Sequence, residues 1–243
     1  MKLQKLLSYA RRAVDDYNMI EDEDRIAVGI SGGKDSLTLL QALKSLQRFY
    51  PKKFELEAIT ISLGFENFNL DTVKKMCDEI GVRYTVQHTY IGQIVFQERK
   101  ETNPCSLCSK MRKAALYKAA KELNCNKIAL GHNKDDVIQT LLLSMFYEGR
   151  IHTFSPVTCL EDIHLYSIRP LIYVPEKEVI SFARRYELPV VKSPCPADGK
   201  TKREEMKIFI KQLRKQFDHF DSRVFGAIQR SFIDGWHLEK KTP

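Results

Sequence analysis

Apolar residues recur at helical spacing at the start of the chain and in five later segments. Near the N-terminus this spacing predicts an amphipathic helix over about the first 18 residues, on Leu3, Leu6, Leu7, Ala10, Val14 and Tyr17. The same spacing predicts helices over residues 37–49, 70–80, 109–123, 135–147 and 176–186. After residue 196 the chain becomes basic, and we expect it to be mostly helical.

Short apolar runs separate these helices, as is typical of buried parallel strands. They predict strands at residues 25–30, 54–63, 82–87, 127–130 and 164–171. Strands that alternate with helices indicate an α/β fold, with a doubly wound parallel sheet of about five strands and helices on both faces. Ligands of such sheets bind beyond the carboxyl ends of the strands, where the strand order reverses. We therefore expect a site at the end of the first strand.

Composition is that of a globular protein, because 43% of the 243 residues are hydrophobic and 29% are charged. These values exclude disordered and collagen-like chains. The longest segment without Asp, Glu, Lys or Arg has 14 residues (84–97), whereas a membrane-spanning helix needs roughly 20. No apolar signal segment opens the chain, so we expect a soluble cytoplasmic protein with no membrane partner.

Positive charge is modest in total and uneven along the chain. Lys and Arg number 39 against 31 Asp and Glu, for a net charge of +8. Residues 200–215 contain seven cations and two anions, and a second cluster comprises Lys110, Arg112, Lys113, Lys118 and Lys121. Solvated helix faces explain such clusters, but two clusters that flank candidate cysteines favour a polyanionic substrate. Charge alone does not identify that substrate as RNA.

The loop after the first predicted strand reads Ser31-Gly32-Gly33-Lys34-Asp35-Ser36. Adjacent glycines let the backbone approach a ligand closely, and free N–H groups at a helix start attract anions. Lys34 adds a charge for phosphates, and Asp35 an oxygen for a magnesium ion. A Gly-Gly turn explains the glycines alone but not the whole motif. The hexapeptide resembles the PP-loop of the ATP pyrophosphatases (HUP superfamily), which implies cleavage of ATP between its α and β phosphates.

A second loop, between the fourth strand and its helix, reads Gly131-His132-Asn133-Lys134-Asp135-Asp136. Capping of the helix also explains adjacent carboxylates at this position. Oxygen ligands are, however, what Mg²⁺ prefers in an ATP site. The string resembles Gly-His-x-x-Asp-Asp, the second signature of the tRNA-modifying PP-loop enzymes.

Three of the six cysteines have surroundings that suggest chemistry. Cys105 and Cys108 form a Cys-x-x-Cys pair, and Cys195 lies between two prolines that hold its thiol in a loop. The pair is compatible with a redox site, with zinc bound together with Cys195 and a histidine, or with an iron–sulfur site. Three thiolates can hold a [4Fe-4S] cluster and leave one iron open for sulfide.

Together these segments resemble the TtcA-type tRNA 2-thiocytidine synthetase family, and residues 17–20, 127–132, 145–147 and 168–171 share the resemblance. The resemblance implies a [4Fe-4S] cluster on Cys105, Cys108 and Cys195. It also implies ATP and Mg²⁺, with ATP bound by Ser31, Gly32, Gly33, Lys34, Asp35, Ser36, Gly131, His132 and Asp135. Lys34, Asp35 and Asp136 are then the catalytic residues, and Asp35 and Asp136 bind Mg²⁺.

The reaction that this family implies is ATP-dependent thiolation of tRNA. The C2 oxygen of a cytidine is adenylated, and sulfur delivered on the cluster then replaces it. The implied partners are tRNA, a cysteine desulfurase or other sulfide source, and a second copy of the chain in a homodimer. We divide the chain into an N-terminal helix (1–20), a PP-loop ATP pyrophosphatase domain (21–192), and a third-cysteine loop with a basic helical region (193–243).

Departures from the family pattern bear on which nucleotide is modified. Asn133 stands where many members have His, and the third cysteine region has Cys195 alone where some members have a pair. One alternative is a tRNA 2-thiouridine synthetase with the same cluster chemistry. A tRNA lysidine ligase would leave the three cysteines without a role. A non-catalytic iron–sulfur redox sensor that binds nucleotide or RNA is the alternative from another class.

Overall fold

A computed structural model describes residues 1–66, 68–99, 104–197, 199 and 201–238. Its strands are β1 Asp24–Gly29, β2 Phe54–Ser62, β3 Arg83–His88, β4 Lys127–Ala129, β5 Val157–Leu160 and β6 Leu165–Ile168. They form one sheet in the order β3-β2-β1-β4-β6-β5. Every neighbouring pair is parallel except β5 and β6, which are antiparallel. The strand order reverses between β1 and β4, which confirms the doubly wound fold.

Nine α-helices connect and extend the strands in the described part of the chain. They are α1 Leu3–Asp16, α2 Lys34–Leu46, α3 Asp71–Glu79, α4 Ile91–Gln93, α5 Pro104–Glu122, α6 Lys134–Glu148, α7 Glu176–Arg185, α8 Lys202–Gln216 and α9 Phe220–Arg230. A π-helical turn, Ile94–Glu98, follows α4, and short 3₁₀ turns lie at Glu161–Ile163 and Ile233–Gly235. None of the helices described is long and apolar enough to cross a membrane.

The sheet has six strands where the sequence predicted about five. The additional strand, β5, has four residues, and all of them are exposed or only partly buried. It pairs antiparallel with the edge of the sheet, on β6 alone. A strand that buries neither face completely carries no strong apolar run, so the pattern of apolar residues did not reveal it.

Two helices begin earlier than their apolar patterns predicted. Helix α5 was predicted from residue 109, but it already includes Pro104, so the Cys-x-x-Cys pair lies within the helix. Helix α2 begins at Lys34, so half of the predicted Ser31–Ser36 loop is the first helical turn. The first turn of α2 is polar, and that of α5 consists of Pro104 and the cysteine pair with its spacer, so neither shows the apolar spacing by which a helix is recognised. The stretch from 89 to 104 is helical at 91–98, and residues 100–103 lie outside the described residues.

The sheet separates two hydrophobic cores of unequal size. Ile26 and Val28 of β1 belong to the larger core, whereas Ala27 between them belongs to the smaller one. Buried residues of α1, α2, α3, α6 and α7, and of the C-terminal α8 and α9, join the larger core. The smaller core packs mainly under α5, through Leu116, Ala119 and Ala120. Helix α5, which carries Cys105 and Cys108, therefore covers one face of the sheet. Helices α2 and α6, which follow the two signature loops (residues 31–36 and 131–136), cover the opposite face.

A buried ion pair joins the amino ends of the two central strands. The Lys127 ammonium lies 2.7 Å from an Asp24 carboxylate oxygen, and their side chains are 8% and 2% exposed. Asp24 also accepts hydrogen bonds from the Glu21 backbone N–H, at 2.6 Å, and from the Asn126 amide, at 2.7 Å. This cluster anchors β1 to β4 at the end of the sheet opposite to the signature loops.

We expect Asp24→Ala to lower the free energy of unfolding by about 3 kcal/mol or more, because it leaves the Lys127 charge buried and unpaired. Urea denaturation measures this loss. Glu122→Ala is the matched control, since it breaks a pair with Lys118 whose side chains are 81% and 58% exposed, and it should change stability by less than about 0.5 kcal/mol. Equal effects of the two substitutions would contradict an anchoring role for Asp24.

Candidate functional site

The two signature loops meet at the carboxyl ends of β1 and β4. A Cβ atom added to Gly131 would lie 3.0 Å from the carbonyl carbon of Asp35 and 3.0 Å from the amide nitrogen of Ser36. Only glycine permits this approach of one backbone to the other. The residues predicted from two distant segments of sequence therefore form one site at the point where the strand order reverses.

The PP-loop is held by its own two serines. Ser36 Oγ accepts a hydrogen bond from the Ser31 N–H, at 3.1 Å, and donates one to the Gly33 carbonyl, at 2.9 Å. The Gly33 N–H donates to Ser31 Oγ, at 3.3 Å. Gly33, which has no side chain, occupies the N-cap position of α2, so the first N–H groups of the helix remain available to an anion.

Asn133 joins the two loops through its side chain, which is 2% exposed. Its side-chain oxygen, Oδ1, caps α6 by accepting hydrogen bonds from the backbone N–H groups of Asp135, at 2.9 Å, and Asp136, at 3.2 Å. Its amide group donates to Asp35, at 2.8 Å. The Asp136 carboxylate completes a capping box by accepting from the Asn133 N–H, at 3.0 Å.

Lys34 contacts a residue that the sequence did not reveal. Its ammonium donates to Asp35, at 2.8 Å, and to Glu176, at 3.0 Å. Burial lowers the pKa of Lys34, but the two carboxylates outweigh it and raise the pKa overall, so Lys34 stays charged. Glu176 is the first residue of α7, 142 positions further along the chain. No motif surrounds it, so only the fold brings it to the site.

The adjacent carboxylates of Asp135 and Asp136 point to different partners. Asp136 lies 3.3 Å from the Arg203 guanidinium of α8, and burial raises the pKa of its carboxyl to about 6. Asp135 pairs with Arg214 and accepts from the Glu176 N–H, at 2.6 Å. Asp35 is close enough to Asp136 for its charge to raise the pKa of the Asp136 carboxyl, whereas Asp135 ties α6 to α7 and α8.

A cavity of about 300 Å³ lies in front of the two loops. Ser31, Asp35, Ser36, Gly131 and His132 line one side. Apolar residues of β2 and of the segment after it line another side: Ile59, Ile61, Leu63, Phe65 and Phe68. The last side is formed by two residues of α5, Arg112 and Leu116, and by three residues of the third-cysteine loop, Ser193, Pro194 and Cys195. The cavity combines a backbone suited to phosphate, an apolar wall of the kind a nucleobase packs against, and a thiol.

The three candidate cysteines lie in one neighbourhood but differ in exposure. Cys195 lines the cavity, Cys108 is 9% exposed on α5, and Cys105 is exposed one turn earlier. Burial raises the pKa of the Cys108 thiol, Arg112 lowers it, and the thiols of Cys195 and Cys105 are close enough to raise it further. All three are free thiols, and soft thiolates of this kind suit iron–sulfur clusters. The donor chemistry therefore fits the predicted cluster.

No three Cys, His, Asp or Glu side chains of the described residues are positioned to hold a metal ion as they stand. This applies both to the cysteines and to Asp35 with Asp136. The roles predicted for these residues as metal ligands therefore stay predictions.

Cations without carboxylate partners surround the cysteine side of the cavity. Within the described ranges, Arg112, Lys113 and Arg169 form no ion pair. Arg169, which is 7% exposed, donates to the Ser155 carbonyl, at 2.6 Å, and burial lowers its pKa to about 10. Burial and these nearby cations hold the pKa of His132 well below its usual range, so its ring is neutral. This excess of positive charge suits an anionic ligand.

The chain is similar to known proteins over most of its length. The PP-loop domain family matches residues 4–213. A tRNA-cytidine(32) 2-sulfurtransferase of Geobacter metallireducens is 39% identical over 88% of this chain and 85% of that protein. Another, of Geobacter sulfurreducens, is 39% identical over 99% of this chain and 96% of its own length.

Among solved structures, the chain is similar to the U34-tRNA thiolase NcsA of Methanococcus maripaludis with its [4Fe-4S] cluster. That similarity has a TM-score of 0.74 with 27% identity, over 92% of this chain and 77% of the other. An NH3-dependent NAD synthetase of Campylobacter jejuni, 17% identical with a TM-score of 0.50 over 93% of each chain, shares the fold. The chain belongs to the PP-loop enzymes and, within them, to the family of the tRNA-cytidine(32) 2-sulfurtransferases.

Proposed function

We propose that this protein replaces the C2 oxygen of a tRNA cytidine with sulfur, after ATP has activated that oxygen. The observation that carries the proposal is the shared cavity, in which Cys195 faces the same space as Ser31, Asp35 and Ser36 of the PP-loop. An activated base and a sulfur donor must meet within one site, and this cavity brings their two binding elements together. The names of the relatives support tRNA as the substrate.

In this proposal the PP-loop binds the phosphates of ATP through the uncapped N–H groups at the start of α2. Lys34 exchanges its contacts with Asp35 and Glu176 for contacts with phosphate oxygens. The carboxylates of Asp35 and Asp136 then bind Mg²⁺, an ion that favours such oxygen ligands. Because the pKa of Asp136 is about 6, most of this carboxylate is charged at neutral pH. We assign His132, with its neutral ring on the cavity wall, to contact with the bound nucleotide.

Adenylation then proceeds by displacement at the α-phosphorus. The C2 oxygen of the cytidine forms a bond to that phosphorus, and the bond to the bridging oxygen of the β-phosphate breaks. Pyrophosphate leaves with its charge stabilised by Lys34 and the loop N–H groups. The base is left with AMP on its C2 oxygen, which turns a poor leaving group into a good one.

The second step exchanges oxygen for sulfur at C2 without net oxidation or reduction. A sulfur nucleophile at the oxidation level of sulfide attacks C2, the C2–O bond breaks, and AMP leaves with the original oxygen. Cys105, Cys108 and Cys195 would hold a [4Fe-4S] cluster, which when bound supplies an iron with an open position for sulfide. Cys195 and Arg112 line the cavity, and Cys108 interacts electrostatically with Arg112 and with the other two thiols, which supports this location for sulfur delivery.

Exposed cations on α5 and α8 are suited to contact RNA. Arg112 and Lys113 are exposed beside the cysteine pair and lack carboxylate partners among the described residues. Helix α8 adds exposed cations at Lys202, Lys211 and Lys215. Phosphate contacts from such residues give affinity without sequence specificity. We assign recognition of the RNA backbone to these two helices.

A tRNA 2-thiouridine synthetase is the second candidate, and one observation favours it. The similar solved structure with a TM-score of 0.74 is a thiolase of U34 in tRNA. The relatives with the higher identity, 39%, carry names that specify cytidine. Both candidates use the same activated C2 oxygen, so the bound nucleoside distinguishes them and the site chemistry does not.

The proposal predicts that activation and sulfur delivery can be lost separately. Lys34→Ala should reduce ATP-dependent pyrophosphate release by about hundredfold while anaerobically purified protein keeps about four irons per chain. A variant with Cys105, Cys108 and Cys195 replaced by Ala should lose the iron and its visible absorption. Lys44→Ala, in the last turn of the same helix, and Cys159→Ala, an exposed thiol, are the matched controls. Zinc or no metal in the unmodified chain would rule out the cluster.

We also predict that Glu176→Gln tightens binding of the non-cleavable analogue α,β-methylene ATP by about twofold to fivefold. This substitution removes a carboxylate that competes with phosphate for Lys34, while the amide keeps its size. Isothermal titration calorimetry with Mg²⁺ present measures the affinity. Glu178→Gln is the matched control, because it alters the ion pair of α7 with Lys5 instead, and it should leave the affinity for the analogue unchanged. Weaker binding by Glu176→Gln would show that Glu176 positions Lys34 rather than competing for it.

A further inference from the structure

The loop that carries Cys195 is hydrogen-bonded to the PP-loop. The Val191 N–H donates to the Gly32 carbonyl at 2.9 Å. Gly32 has a φ of +79°, and a Cβ atom there would lie 3.3 Å from Val191 Cβ, so Val191 sits directly on the glycine. Four residues later, Cys195 reaches the cavity wall, and its N–H donates to Ser193 Oγ at 3.3 Å.

One planar peptide unit of the PP-loop, between Gly32 and Gly33, contacts the loop that carries Cys195. The Gly32 carbonyl and the Gly33 N–H belong to the same planar peptide group. The carbonyl is bonded to Val191, and the N–H to Ser31 Oγ at 3.3 Å. A charged phosphate that takes over this N–H would polarise the same peptide group, and its carbonyl oxygen would become a stronger acceptor for the Val191 N–H.

Within the described residues, the other two cysteines have no such connection to the PP-loop. Cys105 and Cys108 lie on α5, which is anchored in the smaller core by Leu116, Ala119 and Ala120. Their positions are therefore fixed by the packing of a long helix. Of the three thiols, Cys195 is the one whose position depends on a loop in contact with the nucleotide-binding backbone.

We propose that Val191 is a positioning residue that couples nucleotide binding at the PP-loop to the placement of Cys195. Nucleotide contacts at Gly33 strengthen the bond between Gly32 and Val191, and the loop then holds the third thiol against the cavity. Because coupling between two sites is reciprocal, a ligand that fixes Cys195 also tightens nucleotide binding. This inference rests on the proposed function, since it requires a nucleotide on the PP-loop.

The test measures the alkylation rate of Cys195 by iodoacetamide in the full-length chain, with and without α,β-methylene ATP and Mg²⁺. The chain is used before cluster reconstitution, and peptide mass spectrometry gives the rate at each thiol. Val191→Pro deletes the N–H donor, whereas Val191→Ala keeps it and serves as the matched control. Cys159, which is exposed and does not line the cavity, is the internal reference.

We expect the nucleotide to slow alkylation of Cys195 by at least about fivefold in the unmodified chain and in Val191→Ala. In Val191→Pro, only direct shielding of Cys195 by the bound nucleotide should remain, so the nucleotide should slow alkylation less. The alkylation rate of Cys195 without nucleotide should rise. Equal protection in all three proteins means shielding alone and overturns the coupling, as does absence of protection in the unmodified chain.

Two further measurements separate the possible failures. Calorimetry of the same proteins shows whether the nucleotide binds at all. Absence of binding in the unmodified chain contradicts both the proposed function and the coupling, whereas binding without protection contradicts the coupling alone. If circular dichroism shows that Val191→Pro is unfolded, hydrogen exchange of the Val191 amide in the unmodified chain replaces it. The nucleotide must then slow that exchange, and an unchanged rate overturns the coupling.

Discussion

The site depends on the carboxamide of Asn133, because this one group holds two strand–helix junctions together. Its oxygen caps α6, and its nitrogen donates to the Asp35 carboxylate at the start of α2. A hydrogen bond to a charged group contributes about 1.5–3 kcal/mol, and at 2% exposure water cannot replace it. An aspartate would keep the cap but could not donate to Asp35. The backbone contact at Gly131 follows from this link.

Charge is arranged differently on the two sides of the cavity. On the nucleotide side, Lys34 is balanced by Asp35 and Glu176, and Asp136 by Arg203. In the proposed function, MgATP binds by exchanging these ion-pair partners, with its phosphates on the lysine and its magnesium on carboxylates. On the cysteine side, Arg112, Lys113 and Arg169 have no such partners among the described residues, and we assign their charge to an RNA backbone and to thiolates. On this proposal, one cavity serves two anionic ligands in separate places.

The sequence predicted most of what depends on local pattern. All five predicted strands are present, and the signature loops lie at the predicted switch point. The central strands are continuous apolar runs because both of their faces are buried, and β3 was recognised although none of its six residues is fully buried. Strand β5 was missed because it is shorter and partly exposed, and the start of α5 because Pro104 and the cysteine pair lack the apolar spacing of a helix. The assignment of site residues from motifs stays a prediction, and the fold brings both loops and Cys195 to one cavity.

What the sequence could not supply are contacts between distant segments. Glu176 reaches Lys34 only through the packing of α7, and Val191 reaches Gly32 only because the chain returns across the PP-loop. Asp135 was expected at the nucleotide, yet its contacts with Arg214 and with the Glu176 N–H tie helices together. Asp135 and Asp136 are adjacent and identical, and nothing in the sequence indicates that their side chains contact different partners.

Nucleoside mass spectrometry of tRNA tests the account most directly. The substrate is unmodified tRNA, incubated anaerobically with cluster-reconstituted protein, ATP, Mg²⁺ and sulfide. We predict 2-thiocytidine in the digested tRNA, dependent on ATP. The absence of any thionucleoside under these conditions, or the formation of 2-thiouridine in its place, would contradict the account.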